Sequence, residues 1–254
     1  MTATQEAPGL TPNIDVKPIN KRPTPLPWPA SIYQTAVGKK WVMALTGIGI
    51  MGFVFAHMIG NLKMYYGADD FNHYAESLRE LLYPILPRTT VLWILRLGLV
   101  GMFTLHIHSA MSLTRMNHKA KPVKYTKQDY NAANYAGRTM RFSGIIMAAF
   151  ILMHLGNLTW GVLLNGPNGF NHESPYANVV NSLSQPLVAA LYIIGQLALA
   201  FHLFHGAWSL FQSLGINNPR YNGLRKGFAY GFTAIVCGLN LTFPVAILAG
   251  IVKL

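Results

Sequence analysis

Five long apolar segments dominate the hydrophobic pattern of the chain, and polar stretches separate them. The segments cover residues 41–62, 90–113, 142–164, 186–210 and 228–252. A bilayer core of about 30 Å is crossed by roughly 20 apolar residues of helix, so each segment is long enough to span a membrane. Clusters of turn residues, such as Asn217-Asn218-Pro219, lie between segments. The pattern predicts an all-α integral membrane protein, a bundle of five transmembrane helices.

The composition supports a membrane class. Hydrophobic residues make up 52% of the chain and charged residues only 11%, against roughly 25% charged residues in an average soluble domain. The net charge of +12 does not indicate a nucleic-acid binder, because the basic residues fall between apolar runs rather than on faces of a soluble core. A single cysteine, Cys237, excludes an intrachain disulfide and a metal site built from cysteine alone. Any metal held within this chain must therefore depend on histidine.

The distribution of Lys and Arg predicts the orientation of the bundle. The N-terminal segment and the second and fourth connections together hold 15 of the 20 basic residues, and such residues are retained on the cytoplasmic side. The N-terminus is therefore predicted to be cytoplasmic. Residues 1–40 are interpreted as a proline-rich cytoplasmic tail without a signal peptide, and residues 41–254 as the membrane domain. Residues 69–82 have apolar positions at helical spacing, which predicts a short amphipathic helix on the outer interface.

Six of the nine histidines lie within the predicted spans. They are His57, His106, His108, His154, His202 and His205. An ionisable residue inside a span costs several kcal/mol on insertion scales, roughly 2.5–3.5 for a charged group, so each is a functional hypothesis by default.

An internal repeat arranges four of these histidines in matched positions. The first two spans resemble the next two at an offset of 97 residues. His57 to His108 is 51 residues, and His154 to His205 is again 51. Such self-similarity indicates two helix pairs of one design. His106 and His202 do not match at this offset, so they and Cys237 are additional candidates only.

The repeat places the four matched histidines at two depths, each depth receiving one histidine from each of two helices. Histidines that face each other across a bundle can ligate a bis-histidine haem, and two such sites could pass electrons across the membrane. The alternative is that these histidines only hydrogen-bond between helices.

These residues resemble a known family, the cytochrome b membrane anchor of succinate dehydrogenase and fumarate reductase in its single-chain, five-helix, actinobacterial-like form. The segments that carry the resemblance are Gly38-Lys39-Lys40-Trp41-Val42-Met43-Ala44-Leu45-Thr46-Gly47, His57 with Gly60-Asn61-Leu62, and His205-Gly206 with Ser209-Leu210-Phe211. The resemblance implies two b haems, one held by His57 and His154 and the other by His108 and His205.

The resemblance also implies a function in a bacterial plasma membrane. A flavoprotein subunit and an iron–sulfur subunit are expected on the cytoplasmic face, and the anchor passes their electrons to a quinone, expected to be menaquinone. The resemblance implies that this chain does not itself act on succinate. Candidate quinone residues lie near the inner surface (Ser31, Lys40 and Trp41) or the outer surface (Asp69, Asp70 and Glu76).

Three alternatives stay open from the sequence. The histidines toward the inner side, His106, His108, His202 and His205, could hold a Rieske-like [2Fe–2S] cluster together with Cys237. The chain could be the cytochrome b of another membrane dehydrogenase. It could also be a proton or metal transporter that uses histidines as transient ligands, and a transporter is expected to have broken helices near the midplane.

Overall fold

The computed structural model describes residues 26–28, 30–120 and 133–254, and gives only the backbone for 133–138. Every regular element in these residues is helical. The helices are α1 (Ala30–Tyr33), α2 (Ala36–Asn61), α3 (Ala68–Ser77), α4 (Thr90–Lys119), α5 (Ala133–Leu158), α6 (Pro175–Leu183), α7 (Pro186–Ser213) and α8 (Asn222–Leu248). Short 3-10 turns cover Leu62–Tyr66 and Pro219–Tyr221.

Five helices are long and apolar enough to cross a membrane, which confirms the predicted architecture. They are α2, α4, α5, α7 and α8. The two helix pairs of the repeat are present as packed neighbours: α2 lies against α4, and α5 lies against α7. Helix α8 packs mainly against α7, and α2 contacts both α7 and α8. Helix α7 therefore joins the second pair to the rest of the bundle.

The two ends of the bundle differ in charge and in covering. We call the end where α2 begins the basic end. The Lys and Arg residues at this end include Lys39, Lys40, Arg115, Lys119, Arg141, Arg220, Arg225 and Lys226. We call the opposite end, which α3 and α6 cover, the capped end. Every acidic residue in the described part of the chain lies there: Asp69, Asp70, Glu76, Glu80 and Glu173.

The first span begins earlier than predicted. Helix α2 starts at Ala36, within the predicted tail, because the Thr35 hydroxyl accepts a hydrogen bond from the Gly38 amide and caps the helix. Helix α1 also lies within that predicted tail. The remaining tail, residues 1–25 and 29, falls outside the described residues.

The predicted ends of the third and fifth spans were wrong. Helix α5 ends at Leu158 rather than at residue 164, and the backbone then takes positive φ at Gly161 and Leu164. Helix α8 ends at Leu248 rather than at residue 252 because Gly250, with φ of 70°, turns the chain so that the Ile251 amide reaches back to Ala246.

The capped end contains one helix that the sequence did not predict and one that is shorter than predicted. Helix α3 ends at Ser77, so residues 78–82 of the predicted amphipathic helix lie outside it. Helix α6 was not predicted. The helix begins with a Ser174 cap and a proline in its first turn. Its residues Tyr176 and Val180 are part of a buried apolar core that also contains Phe71. This core ties α3 and α6 to α7 and α8.

Close packing of α5 on α7 is expected to depend on Gly195. A Cβ atom at Gly195 would run into the ring of Phe150, and that ring already stacks against His154 and meets the Tyr192 ring edge-on. We expect Gly195→Ala to lower the unfolding temperature of the detergent-solubilised protein, at a cost of about 1–3 kcal/mol for overpacking. Gly231→Ala in α8 is the matched control, since no described atom lies within 4 Å of its added methyl group. Equal stability of the two variants would contradict this packing.

Candidate functional site

Two pairs of histidines meet across the helices of the bundle. The rings of His57 in α2 and His154 in α5 have centroids 6.0 Å apart, with an angle of 84° between their planes. The rings of His106 in α4 and His202 in α7 have centroids 6.4 Å apart at 61°. Each pair therefore joins one helix of the first repeat to the corresponding helix of the second.

The ring of His106 is oriented by helix α2. Its Nδ1 atom lies 3.1 Å from the Met43 carbonyl and 3.3 Å from the Thr46 hydroxyl. A carbonyl can only accept a hydrogen bond, so Nδ1 of His106 carries the proton. The Thr46 hydroxyl donates to the Val42 carbonyl at 2.7 Å, which leaves its oxygen free to accept from the same Nδ1–H. The Nε2 atom of His106 then keeps its lone pair.

The ring of His202 is oriented in the same way by helix α5. Its Nδ1 atom lies 3.3 Å from the Ser143 hydroxyl, and it also hydrogen-bonds the backbone of Met140. Because the Ser143 hydroxyl donates to the Met140 carbonyl at 3.1 Å, its oxygen accepts the proton of His202 Nδ1. The Nε2 atom of His202 is again the one with a lone pair.

A longer hydrogen-bond chain orients His154. The Asn157 amide nitrogen donates to the carbonyls of Leu163 and Leu164, at 2.9 and 3.0 Å, which fixes which amide atom is the oxygen. That oxygen accepts from the Tyr192 hydroxyl at 2.8 Å. The Tyr192 oxygen, 3.3 Å from His154 Nδ1, therefore accepts from the imidazole. His154 is thus a third ring with its Nδ1 proton bound and its Nε2 lone pair free.

The fourth ring of the two pairs is held by stacking. His57 lies parallel to Phe53, with ring centroids 5.5 Å apart and an angle of 15° between the planes. Phe150 stacks against His154 in a similar manner, at 5.9 Å and 25°. Aromatic side chains therefore flank the His57–His154 pair along both helices.

The ring separation in both pairs matches that of two imidazoles that hold one metal between them. An imidazole nitrogen lies about 2 Å from a metal that it coordinates, so two rings that bind one metal from opposite sides have centroids roughly 6 Å apart. The observed separations of 6.0 and 6.4 Å agree with this value. Haem needs only two protein ligands, because its macrocycle supplies the other four. The donor set of each pair therefore fits a bis-histidine haem.

The matched histidines His108 and His205 are placed differently. The Nδ1 atom of His108 lies 2.6 Å from the Tyr33 hydroxyl, which also lies 3.1 Å from the Ser109 hydroxyl. The ring of His205 packs against Phe204, and its buried Nδ1 atom has no hydrogen-bond partner among the described residues. Across the part of the chain that the structure describes, no ring contact joins His108 to His205.

Cys237 lies in an apolar environment. Its free thiol is buried with Met58, Leu203 and Val236. The described residues contain no group of three or more His, Cys, Asp or Glu side chains that could hold a metal ion. A four-ligand iron–sulfur cluster therefore finds no ligand set in residues 30–120 or 139–254, whereas a bis-histidine haem needs only a pair.

The six residues that were predicted to be quinone candidates lie at the two ends of the bundle. Ser31 is half-buried in α1, and Lys40 and Trp41 are exposed in the first turns of α2. Asp69 and Asp70 are exposed in the first turn of α3. The sixth residue, Glu76, forms ion pairs with Arg79 and Arg88.

Several residues of the site were not found from the sequence. They are Met43, Thr46, Met140, Ser143, Asn157 and Tyr192 around the paired histidines, and Tyr33 with Lys39 beside His108. A signal for the first four was present, because Met43-x-x-Thr46-Gly47 recurs as Met140-x-x-Ser143-Gly144 at the same offset of 97 residues. That motif marks the helix faces opposite His106 and His202.

The chain was compared with known proteins and families. The model of the family described as succinate dehydrogenase/fumarate reductase transmembrane subunit matches residues 117–241. No curated protein and no solved structure matches the chain. The matched segment includes α5, α6, α7 and most of α8. This match and the five membrane-spanning helices identify the chain as a member of the succinate dehydrogenase/fumarate reductase transmembrane subunit family.

Proposed function

We propose that this chain is the electron-transferring membrane anchor of a succinate:quinone oxidoreductase and that it holds two b haems. His57 and His154 would ligate one haem, and His106 and His202 the other. The observation that carries the proposal is the pairing of these rings at 6.0 and 6.4 Å. In three of these four histidines, the Nδ1–H group is hydrogen-bonded to the protein and the Nε2 atom is left as a ligand.

The choice of His106 and His202 departs from the histidines that the repeat matches. Residues 106 and 108 are two positions apart, so they project from α4 in directions about 200° apart around the helix axis. One of them can face α7 while the other faces elsewhere. His106 contacts His202 of α7, and His108 contacts Tyr33 of α1. The contacts favour His106 and His202.

The residues of the chain have three tasks at these positions. A haem bound between each pair would supply one-electron redox chemistry inside the bilayer. The protein orients His154, His106 and His202 through their Nδ1 protons and flanks the His57–His154 pair with Phe53 and Phe150. The long helices also separate the two pairs along the bundle, since His57 is 11 residues from Thr46, the contact of His106, or about 16 Å of helix.

The basic end is proposed to face the cytoplasm and to receive the iron–sulfur subunit, with the flavoprotein subunit bound to it. Two observations support this assignment: the concentration of Lys and Arg at this end, and the absence of acidic residues there among the described residues. A transporter is not favoured. Helix α8 continues through Pro244, and all five spans are unbroken helices in the described residues.

The quinone site is proposed to lie at the basic end, next to the docked iron–sulfur subunit. Reduction of a quinone consumes protons, so the site needs proton donors near the membrane surface. Tyr33 and His108 form such a pair, with the hydroxyl 2.6 Å from Nδ1. The Lys39 ammonium lies 4.1 Å from the centre of the Tyr33 ring. Of the residues that were predicted from sequence, Ser31 lies on the same short helix.

The haem assignment predicts a specific pattern among histidine variants. Replacing His57, His154, His106 or His202 by Ala should each remove one of two haems from the purified complex, as measured by haem content and the reduced-minus-oxidised spectrum. His108→Ala and His205→Ala are the matched controls and should keep both haems. If instead the controls lose a haem and His106→Ala and His202→Ala keep it, the second pair is the one that the repeat matches.

The orientation predicts which engineered thiols are accessible from outside the cell. Lys119→Cys at the basic end should react with a membrane-impermeant maleimide only after the membrane is opened. Glu173→Cys at the capped end should react in intact cells. The native Cys237 contributes little background, since it is only 3% exposed. The reverse pattern of labelling would place the basic end outside.

The quinone proposal predicts a selective defect in Tyr33→Phe. This variant keeps the ring beside Lys39 but loses the hydroxyl that contacts His108 and Ser109. We expect quinone reduction to fall about 100-fold, the lower end of what a positioned proton donor contributes. Succinate oxidation with an artificial acceptor, and haem content, should not change.

The control is Tyr65→Phe, which removes a comparable hydroxyl, bound to Thr242 at 2.6 Å, from the capped end. An equal loss of quinone reduction in both variants, or in neither, would contradict a quinone site at Tyr33.

A further inference from the structure

A duplicated motif on two helices faces the His106–His202 pair. On α2 it consists of the Met43 carbonyl, the Thr46 hydroxyl and Gly47. On α5 it consists of Met140, Ser143 and Gly144, each 97 residues further along the chain. We call these two sets the α2 bracket and the α5 bracket. Neither bracket contributes a metal ligand, so both act on the histidines from outside the ligand set.

The two brackets contact their histidines in the same way. The hydroxyl of Thr46 lies 3.3 Å from Nδ1 of His106, and the hydroxyl of Ser143 lies 3.3 Å from Nδ1 of His202. A methyl group built on Gly47 would lie 3.5 Å from Cε1 of His106, and one built on Gly144 would lie 3.6 Å from Cε1 of His202. Each ring therefore lies over a bare glycine and points Nδ1 at the hydroxyl one residue earlier.

The hydroxyl groups are fixed by their own helices. Thr46 donates to the Val42 carbonyl at 2.7 Å and approaches the Met43 carbonyl at 3.2 Å, and Ser143 donates to the Met140 carbonyl at 3.1 Å. These back-bonds use the hydroxyl proton. The oxygen can then only accept, so it selects the imidazole tautomer that is protonated at Nδ1.

We infer that Thr46 and Ser143 are positioning residues that orient His106 and His202, which would hold one haem, and that they lower its midpoint potential. This inference rests on the proposed haem at His106 and His202. An acceptor on the Nδ1–H of a metal-bound histidine fixes the ring and raises the basicity of the ligand. A more basic ligand stabilises the ferric state, and second-shell hydrogen bonds are one of the means by which a protein sets a haem potential.

The brackets should act on one haem only. His154 is oriented by Tyr192 and Asn157 rather than by a bracket, and His57 by stacking on Phe53. A change at Thr46 or Ser143 should therefore leave the other haem unaltered. This selectivity separates a positioning role from a general loss of stability, which would affect both sites.

The test is a redox titration of the assembled complex in which each hydroxyl is removed or conserved. Thr46→Val keeps the shape of the side chain without its acceptor, and Ser143→Ala does the same on the other helix. We expect each to raise the midpoint potential of one haem, to leave the other haem unshifted, and to weaken retention of the shifted haem by about 10-fold or more. The double variant should shift further than either single one.

Thr46→Ser and Ser143→Thr keep the hydroxyl and should retain the wild-type potential, which shows that any shift follows the acceptor. Two results overturn the inference. Unshifted midpoint potentials in Thr46→Val and Ser143→Ala, with both haems present, would overturn this inference but not the proposed function. Absence of haem from the wild-type complex would overturn the proposed function as well, so the two failures are distinguishable.

Discussion

An imidazole inside a bilayer must give its N–H group to an acceptor that the protein supplies, because the hydrocarbon offers none. The local structure around His106, His202 and His154 follows from this requirement. The acceptors are a backbone carbonyl and hydroxyls of Thr46, Ser143 and Tyr192. Once the Nδ1 proton is bound there, the tautomer is fixed and the Nε2 lone pair is available. The hydrogen bond that pairs the Nδ1–H group inside the bilayer thus also leaves the Nε2 atom of each ring able to bind a metal.

The internal repeat explains why this arrangement occurs in pairs. Helices α2 and α5 occupy corresponding positions and carry the two brackets, while α4 and α7 carry the histidines that face them. Duplication of one helix pair therefore provides both histidines of the proposed haem site at once. The His57–His154 pair shows that the copies have diverged: His154 is supported by Tyr192 and Asn157, whereas His57 lies on Phe53.

Much of the fold could be predicted from the sequence, because long apolar runs leave few alternatives in a membrane. The five spans, and the family to which the chain belongs, followed from that pattern and from a few motifs. Helix ends were less predictable: α5 ends at Leu158 because the side chain of Asn157 binds carbonyls of the loop that follows. Helix α6 depends on burial against α3 and α7, which no local pattern reveals.

The candidate site was predicted only in part. The sequence named all six histidines of the spans. The offset of 97 residues selects His108 and His205, whereas the ring contacts favour His106 and His202, so the identity of the haem ligands stays a prediction. Which face of a helix meets its partner depends on rotation about the helix axis, and spacing along the chain does not determine that rotation. The contacts of His106 with Thr46 and of His108 with Tyr33 indicate the rotation of this helix. The recurrence of Met43-x-x-Thr46-Gly47 was the one sequence feature that carried this information.

The central claim is that two histidine pairs of this chain each hold a haem iron. An electron cryo-microscopy map of the purified complex in its native membrane lipid tests it most directly. We expect density for two macrocycles, with iron between Nε2 of His57 and His154 and between Nε2 of His106 and His202. A macrocycle ligated by His108 and His205, or a bundle core with no macrocycle, would contradict the account.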